Sequence, residues 1–297
     1  MPQNILDAFY SEKHEFDDSG KESVTPMLLP AEVLQLALWD QLDTADAERV
    51  ARTLEKHLPA PWRLVRVQEH QAGGQQRAVA FFEWKEMEFA LVPGGQVLLG
   101  HDPSQPPDLT EQDLEDWERA EYEYGNLEEH IKATMTALRQ IVLAPFLMEV
   151  ASREMNFEPN WQSGQILGKR SVRVTMRQVR DWACADGFCL PTSDQWEHAC
   201  RAGTRTFWWW GNAMPIQVPE RNAFGLQIAW DTYRSEWCTN PDVYRGGDGG
   251  CSCCGGLDGL PTALRLASAY FEPFATAENE SEQFMGDCRR VYPLTSV

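Results

Sequence analysis

The residues of this chain whose type and spacing could support chemistry are its cysteines. Three of the eight lie close together between glycines: Cys251, Cys253 and Cys254. Thiolates bind soft metal ions, and Cys251 and Cys254 have the Cys-x-x-Cys spacing of many metal-binding pairs. A structural zinc site would usually need a second such pair, which the sequence lacks. The cluster is therefore interpreted either as a soft-metal site or as a redox-active or buried thiol group without metal.

The rest of the sequence indicates that these thiols are reduced. The first twenty residues are polar and acidic, without the cationic and apolar segments of a secretion signal, so we expect a cytoplasmic protein. The cytosol keeps thiols reduced, and a disulfide framework is not expected. Cys184 and Cys200 fall on the apolar faces of two predicted helices, where cysteine usually packs as a small apolar residue. We expect both to be core residues.

Charge and hydropathy exclude two classes of function. The 297 residues include 45 acidic and 26 basic ones, for a formal net charge of −19. Sequence-independent binding of nucleic acid needs clustered Lys and Arg, so no nucleic-acid partner is expected. There is no run of about 18 apolar residues, so no membrane span is expected. Eleven acidic residues lie between His101 and His130, where we expect a solvated loop and helix.

A capped helix is the clearest element that could position a site. Thr192 is the expected N-cap, and Gln195, three residues on, is its expected capping-box partner. Trp196 and the pair Ala199-Cys200 recur at helical spacing and predict one buried face. Gly203 is expected to end the helix. The sequence therefore predicts an amphipathic helix packed against the core.

The run from Leu190 to Gly203, followed by Trp210-Gly211, resembles the signature LPTxxxWExAxRxG…WG of the formylglycine-generating enzyme (sulfatase-modifying factor) family. Seven further segments are similar to family segments and stand in family order: FALVPGGQVLLG at 89–100 (a hairpin), APFLMEV at 144–150 (a strand), 172–184 (a short helix), NAFGL at 222–226 (a turn), EW at 236–237, YRGG at 244–247 (a strand) and LRLASA at 264–269 (a strand). The chain is identified as a divergent member of this family over residues 84–297.

The resemblance implies an α+β fold. Residues 84–297 are expected to form an irregular C-type-lectin-like domain with short strands, few helices and long loops, in which about 101–130 is an acidic insertion. Residues 1–83 lie outside the resemblance and predict a small α+β extension. It would hold two helices, at 31–39 and from 43 to before Pro59, and a hairpin of strands 64–67 and 77–82 across Gly73-Gly74. We expect the extension to pack on the main domain; the alternative is a partner surface.

The resemblance also implies a chemistry. The family's enzymes oxidise a cysteine of a substrate protein to the aldehyde formylglycine, and they hold Cu(I) with two cysteines five residues apart after the RGG strand. Cys251 matches the first of these, but the residue five positions on is Gly256. Cys251 with Cys254 is therefore the candidate catalytic pair. Because two-coordinate Cu(I) depends on both thiolates, the missing cysteine predicts weak copper binding.

Calcium is the second metal that the resemblance implies. Family members bind calcium near their NxFGL and GNVWEW segments. Asn222 matches the first of these segments, and Asp231 and Glu236 remain as hard oxygen ligands near the second. These residues make calcium the preferred cofactor candidate over copper. The alternative is that the same polar groups close their loops by hydrogen bonding.

Two functions of different class follow from the sequence. The first is a binding module for a protein or peptide, in which loops after the RGG strand present the ligand surface and Trp230, Arg245 and Asp248 are candidate contacts. Some relatives of this scaffold are variable proteins whose C-terminal residues are diversified for ligand binding. The alternative is a copper-dependent oxidoreductase that converts a substrate-protein cysteine to formylglycine. The missing copper cysteine favours the binding module.

Overall fold

A computed structural model of the chain describes residues 15–16, 22–23, 32–155, 157–162, 165–172, 174–214, 217–239, 243–273 and 286–294. The helices are α1 (Leu36–Trp39), α2 (Thr44–His57), α3 (Glu111–Tyr124), α4 (Leu127–Thr134), α5 (Met176–Ala183), α6 (Ser193–Arg201), α7 (Cys251–Cys254) and α8 (Leu260–Leu264), with a 3₁₀ turn at Ala185–Gly187. None of these helices in the described ranges is long and apolar enough to cross a membrane.

The strands are mostly short, but two of them have ten residues each. They are β1 (Glu15–Phe16), β2 (Glu22–Ser23), β3 (Arg63–Ala72), β4 (Gln75–Trp84), β5 (Met87–Val92), β6 (Gly95–Leu99), β7 (Arg139–Leu143), β8 (Phe146–Glu149), β9 (Arg153–Glu154), β10 (Phe157–Gln162), β11 (Gln165–Ser171), β12 (Glu236–Trp237), β13 (Val243–Arg245), β14 (Glu272–Pro273), β15 (Asp287–Cys288) and β16 (Val291–Pro293). Among the described residues, the paired strands run antiparallel except for β12 beside β15. The predicted α+β class is confirmed.

Among the described residues, two sheets have five strands each: a small one in the order β14-β13-β12-β15-β9, and a larger one in the order β16-β8-β5-β4-β3, which is all antiparallel. The predicted boundary at residue 83 falls inside β4, so the β3–β4 hairpin is part of this sheet. Helix α2 covers the hairpin and the strands beside it, because Val50 and Leu54 share one core cluster with Phe82, Phe89 and Leu147. The described part of the early segment is therefore packed into the main core.

The chain leaves this sheet after β5 and does not form the predicted hairpin across Pro93 and Gly94. Strand β6 pairs with β7 in a separate two-stranded ribbon, so that prediction is wrong. Gly94 instead bonds to the segment around α1: its N–H donates to the Leu34 carbonyl, and its own carbonyl accepts from the Leu36 N–H. A Cβ at Gly94 would lie 2.3 Å from the carbonyl oxygen of Leu143. This close packing turns the chain out of the sheet.

Two strands and two helices were predicted within residues 1–83. The strands predicted at 64–67 and 77–82 are confirmed and extend further as β3 and β4. The second helix is confirmed as α2, whose N-cap Asp43 accepts from the Asp46 N–H. The first helix begins only at Leu36, and its predicted start at Ala31 lies outside the described residues.

The acidic insertion is a pair of helices, α3 and α4. Thr110 caps α3 in a capping box with Asp113. Trp117 on its inner face packs with Leu260 and Leu264 of α8 in a second core cluster, while most of its glutamates face solvent. The insertion is thus attached to the core by a buried tryptophan.

The capping signal of the signature predicts its helix correctly. Thr192 caps α6 with Gln195 in a capping box, and α6 ends at Arg201, just before the left-handed residue Ala202. The strand predicted at 264–269 is wrong, because α8 occupies 260–264 and turns follow it. Pro261 in the first turn of α8 favours a helix start.

Candidate functional site

The clustered cysteines form the short helix α7, which follows β13 through a run of glycines. Asp248 holds the start of this helix: Oδ1 accepts from the Gly250 N–H at 2.8 Å, and Oδ2 accepts from the Ser252 N–H at 2.8 Å and its hydroxyl at 2.6 Å. The guanidinium Nε of Arg265 lies 2.9 Å from Oδ2. These contacts fix the backbone from which the thiols project.

Tyr233 lies over the thiols of α7. Its hydroxyl is 3.6 Å from Cys254 Sγ, and hydrogen bonding to Cys253 and then Cys254 raises the pKa of Tyr233. Its ring packs on Gly250, where an added Cβ would lie 2.3 Å from the ring. The side chain is nevertheless 58% exposed. We call α7 together with Tyr233 the thiol turn.

All eight cysteines are free thiols, but their surroundings differ. Cys251 and Cys254 are exposed, and Cys253 is half-buried with its thiol donating to the Gly250 carbonyl at 3.2 Å. Cys200 is fully buried, as predicted, and burial raises its pKa to about 12. Cys184 is exposed, so the prediction that it is a core residue is wrong: it lies one residue past the end of α5, where the apolar face stops.

The thiol turn does not fit the two-cysteine Cu(I) clamp that the resemblance implies. The position five residues after Cys251 is Gly256, which offers no side chain and has nothing within 4 Å of its Cβ direction. Cys254 Sγ contacts the phenol of Tyr233, and the Cys253 thiol donates to the Gly250 carbonyl. In the described part of the chain, His, Cys, Asp and Glu side chains form no group of three that could hold a metal ion.

The three residues predicted for calcium are engaged by protein groups. The Asn222 amide oxygen accepts from two backbone N–H groups, and its NH₂ donates to the carbonyls of Ala199 and Cys200. Glu236 forms an ion pair with Arg289, while Asp231 accepts from the Tyr233 N–H. These contacts favour the alternative that the polar groups close their loops by hydrogen bonding.

Two of the three predicted ligand contacts have structural roles. Arg245 has no exposed surface and bonds to Ser193, to the Tyr270 carbonyl and to Glu197, so the prediction that it contacts a ligand does not hold. The carboxylate of Asp248 is 5% exposed and is occupied by α7, as described above. Trp230 is half-buried and keeps exposed surface within three residues of Tyr233.

Neither Tyr233 nor the sharing of Glu197 by several arginines is predicted from the sequence. Tyr233 is separated from Cys254 by 21 positions, and backbone bonds from Asp248 and Gly250 to the Thr232 carbonyl hold the two segments together. Glu197 accepts from Arg201 one helical turn later, and also from Arg139 and Arg245 far along the chain. The Glu-Arg spacing of four residues within α6 was the available signal for the first of these pairs.

Comparison with protein-family models finds no match, and comparison with curated proteins finds none either. Among solved structures, the chain is similar to Treponema denticola variable protein 1, at 14% sequence identity and a TM-score of 0.39. That similarity covers 80% of this chain and 100% of the other.

Proposed function

We propose that this chain is a binding module for a protein or peptide, and that the thiol turn with Trp230 forms its recognition surface. The observation that carries the proposal is Tyr233, a side chain 58% exposed yet fixed against Gly250 and Cys254. A rigid, exposed tyrosine offers a large contact area at a small cost in conformational entropy, which is why protein-binding surfaces are rich in tyrosine.

The backbone beneath this surface supports the proposal. Asp248 joins the glycine run, α7 and Arg265 into one hydrogen-bonded unit, and Arg265 also bonds to Glu272 of β14. Binding residues are commonly held on loops by such a rigid scaffold. Gly249 and Gly256 beside α7 have open space around them, so a partner could approach the backbone closely.

We further propose that the scaffold is a divergent, C-type-lectin-like member of the formylglycine-generating enzyme family without the standard copper oxidase site. Support comes from the segments in family order and from α6, whose cap and buried Trp196 follow the signature. The lack of a side chain at Gly256 supports the loss of the oxidase site. The eight free thiols are compatible with the proposed cytoplasmic location.

The recognition surface is tested by selecting a random displayed-peptide library on the purified protein under reducing conditions. We expect most selected peptides to lose at least about tenfold in affinity for Tyr233→Ala, since aromatic hot spots contribute about 2 kcal/mol or more. Tyr122→Ala is the matched control, because Tyr122 is an 80% exposed tyrosine on α3. Peptides that bind both variants equally well would contradict the proposed surface.

The copper oxidase alternative is separated by loading the protein with Cu(I) under reducing conditions and removing unbound metal. We expect much less than about one equivalent of copper to remain, because Cu(I) needs at least two well-placed thiolates. Retention of one equivalent, together with oxidation of a cysteine peptide in air, would establish the oxidase instead.

A further inference from the structure

A small pocket that shares no residue with the thiol turn lies at the C-terminal end of α6. Its volume is about 10 Å³, room for one group the size of a water molecule. The lining residues that matter here are His101, Asp102, Met135, Arg201, Arg205 and Phe207. The pocket is notable because two guanidinium groups and an imidazole meet there in a chain of net charge −19.

Arg201 provides a partly unused donor in this pocket. Its side chain is only 7% exposed; Nε lies 3.2 Å from Glu197, and Nη2 donates to the Gly100 carbonyl at 2.5 Å. Nη1 makes no hydrogen bond to the described residues. It is also not one of their fully buried atoms without a partner, so it keeps some accessible surface. Arg201 lines the pocket, so its guanidinium borders the open space there.

The ion pairs behind the pocket leave it positively charged. Burial would raise the pKa of Glu197, but Arg245, Arg201 and Arg139 together lower it, so Glu197 is ionised at neutral pH. These three guanidiniums face two carboxylates, because Arg139 also bonds to Asp194. One positive charge is therefore not compensated, and burial strengthens its attraction for an anion.

His101 and Arg205 complete the rim. Burial lowers the pKa of His101, and Arg201 adds to this effect against Asp102, so the ring is neutral near pH 7 and has one N–H to donate. The ring packs edge-on against Phe207, with centroids 5.4 Å apart. Arg205 is 65% exposed and lies 3.7 Å from Asp102.

We propose that this pocket binds a small carboxylate, either free or at the end of a longer molecule. A carboxylate presents one oxygen to Arg201 Nη1 and the second to Arg205 and His101, and charge-assisted bonds of this kind are the strong ones. The small volume admits one oxygen, and Asp102 on the rim repels dianions such as phosphate. The buried side chains of Phe207 and Met135 offer an apolar wall to a carbon stem.

The test is a titration of the full chain with sodium acetate at pH 7 and constant ionic strength, followed by the imidazole proton signals of its six histidines. The His101 signal is assigned by its loss in His101→Phe. We expect saturable shifts of this signal with a millimolar Kd, and a rise in the pKa of His101 when acetate is bound. The titratable groups facing His101 in the pocket are Asp102, Arg201 and Arg205.

Two variants with opposite expected effects avoid disturbing the buried Arg201. Arg205→Gln should raise the Kd for acetate about threefold to fivefold, the range for an exposed ion pair. Asp102→Asn should lower it by a similar factor, because a repelling carboxylate is removed. Arg119→Gln is the matched control: Arg119 is also 65% exposed and also pairs with an aspartate, Asp116.

The outcomes separate the parts of the inference. No saturation with acetate overturns the pocket, as does an Arg119→Gln effect equal to that of Arg205→Gln. Phosphate binding as tightly as acetate overturns the carboxylate assignment. Because the pocket and the thiol turn have no residue in common, these results are independent of the peptide-binding experiment.

Discussion

His198 is fully buried beside Glu197 on α6. Its Nε2 lies 2.8 Å from the Pro93 carbonyl oxygen, and its ring packs edge-on against Phe146 and Phe224. Burial lowers its pKa from 6.5 to about 4, so the folded protein keeps a neutral imidazole, with Nε2–H as the donor to Pro93. This contact, together with the hydrogen bonds of Gly94, holds the turn that follows β5.

The low pKa of His198 predicts acid sensitivity. Between pH 6.5 and about 4 the unfolded chain binds a proton at this residue and the folded chain does not, so the free energy of unfolding falls as pH falls through this window. His198 should contribute a slope of up to ~1.4 kcal/mol per pH unit. Urea unfolding at several pH values should show that His198→Gln has a shallower pH dependence than the wild type.

His130 serves as the comparison for that experiment. Its pKa is also lowered, chiefly by burial, but it is only partly buried between α3 and α4. His130→Gln should therefore remove a smaller part of the slope. An unchanged slope in His198→Gln would show that the buried imidazole does not titrate as described.

At the scale of elements, the hydroxyl of Thr192 accepts from the Gln195 N–H at 3.1 Å and starts the helix that carries Glu197 and Arg201. Thr192→Ala should lower the free energy of unfolding by about 1 kcal/mol, the usual cost of losing an N-cap. Thr192→Ser keeps the hydroxyl and should stay within a few tenths of wild type. Urea titration measures both, and equal losses in the two variants would mean that the cap contributes nothing.

The same elements show what the sequence could predict. The Thr192 cap acts within three residues, so the sequence predicted α6 correctly, whereas α5 was expected only from the family resemblance. The pairing of β6 with β7 joins residues at least forty positions apart, and nothing in the 89–100 run indicates it. The candidate site is likewise only partly predictable. The clustered cysteines are evident from the sequence, whereas the contact of Tyr233 with Cys254 depends on the fold between them.

At the scale of the whole molecule, distant parts of the sequence share one sheet. Strand β16, near the C-terminus, pairs with β8, and the sheet ends at β3. Its far side is covered by α2, whose Ala47, Val50, Ala51 and Leu54 are all fully buried. The β3–β4 hairpin thus extends the sheet beyond β5 and provides the surface on which α2 packs.

This arrangement predicts that residues 84–297 do not fold alone, although the family resemblance begins there. Removing the segment before residue 84 deletes β3, nearly all of β4 and α2, which leaves one edge of β5 unpaired and exposes Phe89 and Leu147 of the shared core. Exposing each such side chain costs about 1.5–3 kcal/mol of hydrophobic free energy, against a typical total free energy of unfolding of about 5–15 kcal/mol.

A chain of residues 32–297 retains α1, α2 and all five strands of the β16-β8-β5-β4-β3 sheet, and it is the matched control. Near-UV circular dichroism of the buried tryptophans and urea unfolding should show a cooperative transition for 32–297 and none for 84–297. A cooperative transition in the shorter chain would place the domain boundary at residue 83 after all.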